Sequence, residues 1–209
     1  EGGSLAGDAR IKDDQGTYAY NAWLSSSGMS IATLFPNDWV SHTGFDVALN
    51  GRGFKPASIS SQLDARLFNT RLEKESVDNT TLRAVVADRV LDADVTVSDS
   101  LLGLELYAMC DWNDSLRQYA LDLNLGNADF HQLLPDKLKD SLQLSDVRIK
   151  AAFAGDDLEG LSGTLTADSG WVKTKNGGFD IADVELGIVA DNGMKNVDWV
   201  SPWFDFNIW

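Results

Sequence analysis

Apolar and polar residues alternate one for one over most of this chain, a period of two that marks extended strands with one face turned from water. Phe45, Val47 and Leu49 alternate with Asp46, Ala48 and Asn50, and Leu63, Ala65 and Leu67 with Asp64, Arg66 and Phe68. Leu91, Ala93, Val95 and Val97 alternate with Asp92, Asp94, Thr96 and Ser98. Leu102, Leu104, Leu106, Ala108 and Cys110 alternate with Gly103, Glu105, Tyr107 and Met109. Tyr119, Leu121, Leu123 and Leu125 continue the pattern, as do Val147, Ile149, Ala151 and Phe153. Leu186 and Ile188 follow Val184, and Phe204, Phe206 and Ile208 close the chain. An all-β fold of antiparallel strands with one dry and one wet face is therefore expected.

Turn chemistry punctuates the strands. Asp13-Asp14-Gln15-Gly16, Trp112-Asn113-Asp114-Ser115, Asn176-Gly177-Gly178 and Asp191-Asn192-Gly193 read as hairpin turns. Two stretches, 130–140 and 33–40, read instead as short helical turns, each with a proline suited to a first turn. They are also an internal repeat. Leu34-Phe35-Pro36-Asn37 corresponds to Leu133-Leu134-Pro135-Asp136 at an offset of 99, and Asp46-Val47 to Asp146-Val147 at 100. A period near 100 suits a stacked array better than a closed barrel. The chain divides accordingly into 1–43, 44–140 and 141–209: the end of one repeat, a full repeat with its helical turn, and the start of the next.

Composition excludes several functions. The formal charge of −15, with Lys and Arg scattered singly, repels phosphate backbones and gives no electrostatic attraction to anionic lipid surfaces. Cys110 is the single cysteine, so no intrachain disulfide forms. No apolar run reaches the roughly 18 residues of a membrane-spanning helix. Glu1 is not a natural start, and the chain reads as a fragment with any targeting element upstream.

Catalytic signatures are missing, and no enzyme activity, metal or cofactor is expected. His42 and His131 lack a second ligand at helical or hairpin spacing. Cys110 sits on an apolar strand face as a small packing residue. Asp92 and Asp94 share one strand face about 7 Å apart, and Asp156 and Asp157 occupy a turn. With 32 acidic residues, such pairs arise without catalysis, and a solvated face explains them. Gly51-Arg52-Gly53 lacks the following helix that a phosphate cradle needs. The seven tryptophans admit sugar stacking or groove lining, and the segment from Trp199 to Trp209 places aromatics on both faces of one strand.

The run from Gly44 onward resembles the TamB branch of the AsmA-like superfamily, particularly the long TamB proteins of Bacteroidetes-type bacteria. The likeness rests on Val47-Ala-Leu-Asn-Gly51-Arg-Gly53-Phe54, Ile59 to Leu72, and Asn127-Ala-Asp129-Phe-His-Gln-Leu133-Leu134. It extends to Gly155-Asp-Asp-Leu158-Glu-Gly160-Leu161 and the closing Val197-Asp-Trp-Val-Ser201-Pro-Trp-Phe204-Asp-Phe206. Residues 1–43 match less, apart from the turn at Leu34.

The resemblance implies a curved antiparallel sheet forming a U-shaped, taco-like groove with an apolar interior. It implies a protein anchored in the inner membrane that crosses the periplasm. Such a protein moves phospholipids to the outer membrane and supports outer-membrane protein assembly with a barrel partner of the TamA/BamA type. The expected groove lining is the dry-face set on each strand: Phe45, Val47 and Leu49; Leu63 and Leu67; Leu91, Val95 and Val97; Leu102, Leu104 and Leu106. It continues with Tyr119, Leu121, Leu123 and Leu125; Val147, Ile149 and Phe153; Leu186 and Ile188; and Phe204 and Phe206. Physical chemistry agrees, since a dry face must be covered by a helix, a sheet or a ligand, and helix is scarce here. The alternative is a secreted carbohydrate-binding β-sandwich, suggested by the tryptophans and the acidity.

Overall fold

The structure is a computed structural model and describes residues 3–30, 40–55, 57–72, 75–133, 142–157, 160–191, 194–203 and 205–208. The described residues form one open, curved antiparallel sheet and a single helical turn. The strands of the first half are β1 (Leu5–Asp14), β2 (Thr17–Ser30), β3 (Val40–Arg52), β4 (Ser60–Leu72), β5 (Glu75–Val77), β6 (Thr80–Ala87), β7 (Val90–Ser98) and β8 (Leu102–Asp111). After β9 (Gln118–Asp129) comes the turn α1 (Phe130–Leu133). Then follow β10 (Leu142–Ala154), β11 (Ser162–Thr174), β12 (Gly177–Asp180), β13 (Val184–Asp191), β14 (Met194–Val200) and β15 (Phe206–Ile208). Neighbours in sequence are neighbours in the sheet, except that β5 and β12 pair only the far ends of β4 and β11. The meander expected from alternation and hairpin turns, and the open, curved antiparallel sheet that the resemblance implies, are thus present. The sandwich is not, because no second sheet packs on the first among the described residues.

Turn chemistry explains the tight links. Gln15 and Gly16 adopt φ of 53° and 83°, the mirror-image turn that matches strand twist. Asp88 and Arg89 do the same at 49° and 61°. That second turn was not legible, since neither residue is glycine or asparagine. The turn expected at Asn176-Gly177-Gly178 sits slightly earlier, with Thr174 opposite Gly177. Asn192 and Gly193 lie outside the described residues, between the paired Asp191 and Met194.

Register turns alternation into rows. One row passes through Leu24, Val47, Ala65, Leu82, Val95, Leu106, Leu123, Ile149, Ala167 and Val184. A second passes through Ala9, Ala22, Leu49, Leu63, Ala84, Ala93, Ala108, Leu121, Ala151, Leu165, Leu186 and Trp199. The intervening positions make polar rows, for example Asp64, Arg83, Asp94, Tyr107, Asp122 and Lys150. A slip of one residue anywhere would put charge among the apolar rows, which pins the register.

The strands bend at one level. Register shifts fall at Ser26/Met29, at Val40/His42/Gly44, at Gly103/Leu104 and at Ser145/Arg148/Ile149. These sites flank the row Phe45, Leu67, Thr80, Val97, Leu104, Leu125 and Val147. The shifts fall toward the two sides of the sheet, in the ladders of β2 to β4 and of β8 to β11, and each adds local bend and twist at this level, the crease, while the ladders from β4 through β6 and β7 to β8 carry none. Side chains from outside the ladders pack over this level. Leu133 of α1 packs with Val77 and Val97, and Phe130 and Ile181 pack against Leu125, Ala128 and Val147. Gly170 is required beneath Ile181, because a Cβ there would meet Ile181 Cγ1 at 2.5 Å.

The repeat is structural, with strand starts 102 apart rather than the 100 expected at Asp46-Val47, while the turn at 34–37, expected at 99, lies outside the described residues. β10 and β11 begin 102 residues after β3 and β4 (142 against 40, 162 against 60). Gly53 N–H donates to Tyr18 O at 2.8 Å, and Gly155 N–H, 102 positions on, to Arg117 O at 2.9 Å. The pairing of Asp46-Val47 with Asp146-Val147 is corrected accordingly. Phe45 and Val147 share one row and Val47 and Ile149 the next, because Asp146 sits at φ 53° in a bulge while Asp46 continues the ladder. The 43/44 boundary lies inside β3, and the 140/141 boundary lies outside the described residues. The helical turn at 130–140 is present at Phe130–Leu133, with 134–140 outside the described residues. Of its twin at 33–40, only Val40 is described, as the first residue of β3.

Candidate functional site

The candidate site is the apolar face itself. Its geometry follows from strand alternation (which side chains) and ladder register (which neighbours). Every expected lining residue from Phe45 to Ile188 falls in the apolar rows. Phe206 pairs with Trp199 at the end of the second row. Phe204 lies outside the described residues. Trp199 and Phe206 belong to two strands, β14 and β15, joined by a turn, so the closing aromatic segment is a hairpin and not the single strand expected.

The rows differ in cover. At the crease, Phe45, Val97, Leu125 and Val147 are buried, Val97 against Leu133 of α1 and Leu125 and Val147 against Phe130 and Ile181. In the second row, from Ala9 to Trp199 across twelve strands, no side chain is buried. Leu121 at its centre is 36% exposed. The central floor is cut low by Ala84, Ala93 and Ala108, directly opposite one another. Leucines and valines stand on both sides, Leu82, Val95 and Leu106 in one flanking row and Val86 and Leu91 in the other. A depression of about 590 Å³ occupies the start of the groove, lined by Ala9, Ala22, Leu24, Val47, Leu49 and Leu63 among others. Another of about 310 Å³ lies at the uncovered ends of β9 and β10, against Tyr119, Phe153 and Leu161.

Sequence reasoning missed part of the wall. Ala9, Ala22, Leu24, Leu82, Leu165 and Trp199 line the same face. Small residues diluted the signal in β1 and β2, and Val85 on the polar face masked it in β6. Leu165 and Ala167 with their threonine neighbours would have revealed β11.

Polar groups here have structural roles. Burial pushes the Cys110 thiol above its usual range, which makes it a poor nucleophile at neutral pH. Tyr107 O–H donates to Asp92 Oδ1 at 2.6 Å, and that bond raises the tyrosine's pKa. Asp92 and Asp94 lie on the polar face, where Asp94 stands opposite Arg83 and Tyr107. Asp157 Oδ1 accepts from Gly160 N–H at 2.7 Å, a turn contact. His42 and His131 are exposed, and no metal-ligating cluster occurs among the described residues. The exposed indoles Trp23, Trp171 and Trp203 lie on β2, on β11 and after β14. Trp23 and Trp171 stand eight positions apart in the sheet, roughly 38 Å, so the three form no single stacking platform.

No helix among the described residues is long and apolar enough to cross a membrane. Comparison with family models, with curated proteins and with solved structures finds no match to this chain.

Proposed function

We propose that this chain is a segment of a β-groove that carries or shields phospholipid acyl chains between the inner and outer membranes. The observation that carries the reading is the second apolar row: twelve strands wide, continuous, and without one buried side chain. Such a surface is costly in water and is normally covered. An acyl chain laid along it gains about 0.8 kcal/mol per buried CH2, on the order of 10 kcal/mol for a chain of about 16 carbons before association costs. Few polar anchors interrupt the rows, so a chain slides without losing hydrogen bonds. The placement in the periplasm, the inner-membrane anchor of the full-length protein, the barrel partner of the TamA/BamA type and the support of outer-membrane protein assembly follow from the family resemblance. The activity is transport, not catalysis.

Native mass spectrometry of protein purified from a Gram-negative host tests the reading. Phospholipid adducts are expected, and Leu123→Asp, at a half-buried groove position, should reduce them by roughly tenfold or more while the fold persists. Lipid-free protein in repeated preparations would sink the proposal.

A further inference from the structure

The polar face carries a depression that the groove reading does not use. It holds about 500 Å³ and lies over the backbone of Leu24, Val47, Ala65 and Leu82, between two polar rows. That size is typical of small-ligand sites, roughly 300–1,000 Å³. One wall runs in register through Trp23, Ala48, Asp64, Arg83 and Asp94, and Arg66 stands on the other. Trp23 is 46% exposed, and its register neighbour Ala48 adds only a methyl beside the indole. Arg83 stands between Asp64 and Asp94, yet among the described residues neither it nor Arg66 forms an ion pair, unlike Arg10 with Asp8, Arg52 with Asp14 and Lys150 with Asp168. Both guanidinium forks keep their donors for solvent or a ligand.

We propose that this trough binds a neutral oligosaccharide laid across the strands. A sugar hydroxyl both donates and accepts, so it can satisfy a guanidinium and the carboxylate beside it in turn. A polyanion would meet the carboxylates, and a polycation the guanidiniums, whereas an uncharged polyol meets neither penalty. The apolar face of a pyranose ring stacks on an exposed indole. A pyranose chain advances by about one strand spacing per ring, roughly 4.8 Å, so successive rings meet successive strands. From β2 to β7 the trough crosses four spacings in the sheet, roughly 19 Å, room for about four rings. The site lies on the opposite face from the groove, so it stands or falls independently of lipid carriage.

The test is calorimetric titration of the 209-residue chain with cellohexaose, chitohexaose and maltohexaose, together with ¹⁹F spectra of 5-fluorotryptophan-labelled protein. One of the three sugars should bind with Kd in the range of roughly 0.1–1 mM and shift the Trp23 signal among the seven. Trp23→Ala and Arg83→Ala should each weaken binding about tenfold. Trp23→Phe, which keeps an aromatic face, should retain most of the affinity, and Trp171→Ala should retain all of it. No heat and no shift with any of the sugars would overturn the proposal. So would binding that Trp23→Ala and Arg83→Ala leave intact.

Discussion

The crease and the open floor of the groove are built from the same residue types on the same face, yet they are covered differently. At the crease, Leu125 is 7% and Val147 3% exposed, because Leu133, Phe130 and Ile181 fold back over that row. Two rows away, Leu121 is 36% exposed, and neither core cluster of the described residues includes it. The covered row belongs to the buried core, and the open row does not. Apolar patterning alone therefore does not distinguish a core from a binding surface.

The comparison can be broken at the crease first. Leu125→Ala should lower unfolding free energy by about 2–5 kcal/mol, read from the urea midpoint. A loss no greater than that of an open-row leucine would mean the crease is not the stabilising row. Next, Ala93→Trp fills the floor without touching the crease. Lipid occupancy should fall about tenfold, equivalent to about 1.4 kcal/mol, with the melting temperature unchanged. Unaltered occupancy would place the lipid elsewhere. Leu121→Ala sharpens the contrast with Leu125, since Leu121 is already 36% exposed. Its stability cost should be about 1 kcal/mol or less.

The smallest effect concerns Cys110, beside Leu91 and Tyr119 in the row at the far margin of the groove. Its thiol is raised by burial, so the reactive thiolate is scarce at pH 7.5. Iodoacetamide should react more slowly than with free cysteine, whose pKa is about 8.5. The rate should keep climbing with pH beyond the ordinary cysteine range. Added phospholipid should slow it further, and a rate that lipid does not change would remove Cys110 from the lipid-covered wall.

Much of the candidate site is legible in the sequence. Leu104, Leu106, Leu121, Leu123, Val147 and Ile149 alternate so regularly that their shared face followed from strand geometry alone. The hairpin at Gln15-Gly16 followed from turn chemistry, whereas the one at Asp88-Arg89 did not, because those residues tolerate many conformations. The repeat was legible in the sequence, but its register at Asp46 and Asp146 was not. A bulge at Asp146 changes register without leaving a distinct residue signature.

What this sequence determined by itself is which side chains share a face, because period two is a property of the local backbone. Which strand lies beside which, and that the apolar positions align into rows running nearly the full sheet, was decided only by the ladders. Cover, too, was a tertiary matter. Leu133 reaches Val77 and Val97, and Ile181 reaches Gly170 and Val147, across separations that no local pattern encodes. Among the described residues those few contacts close the crease while the second row stays open, and that difference makes an alternating sheet a candidate groove.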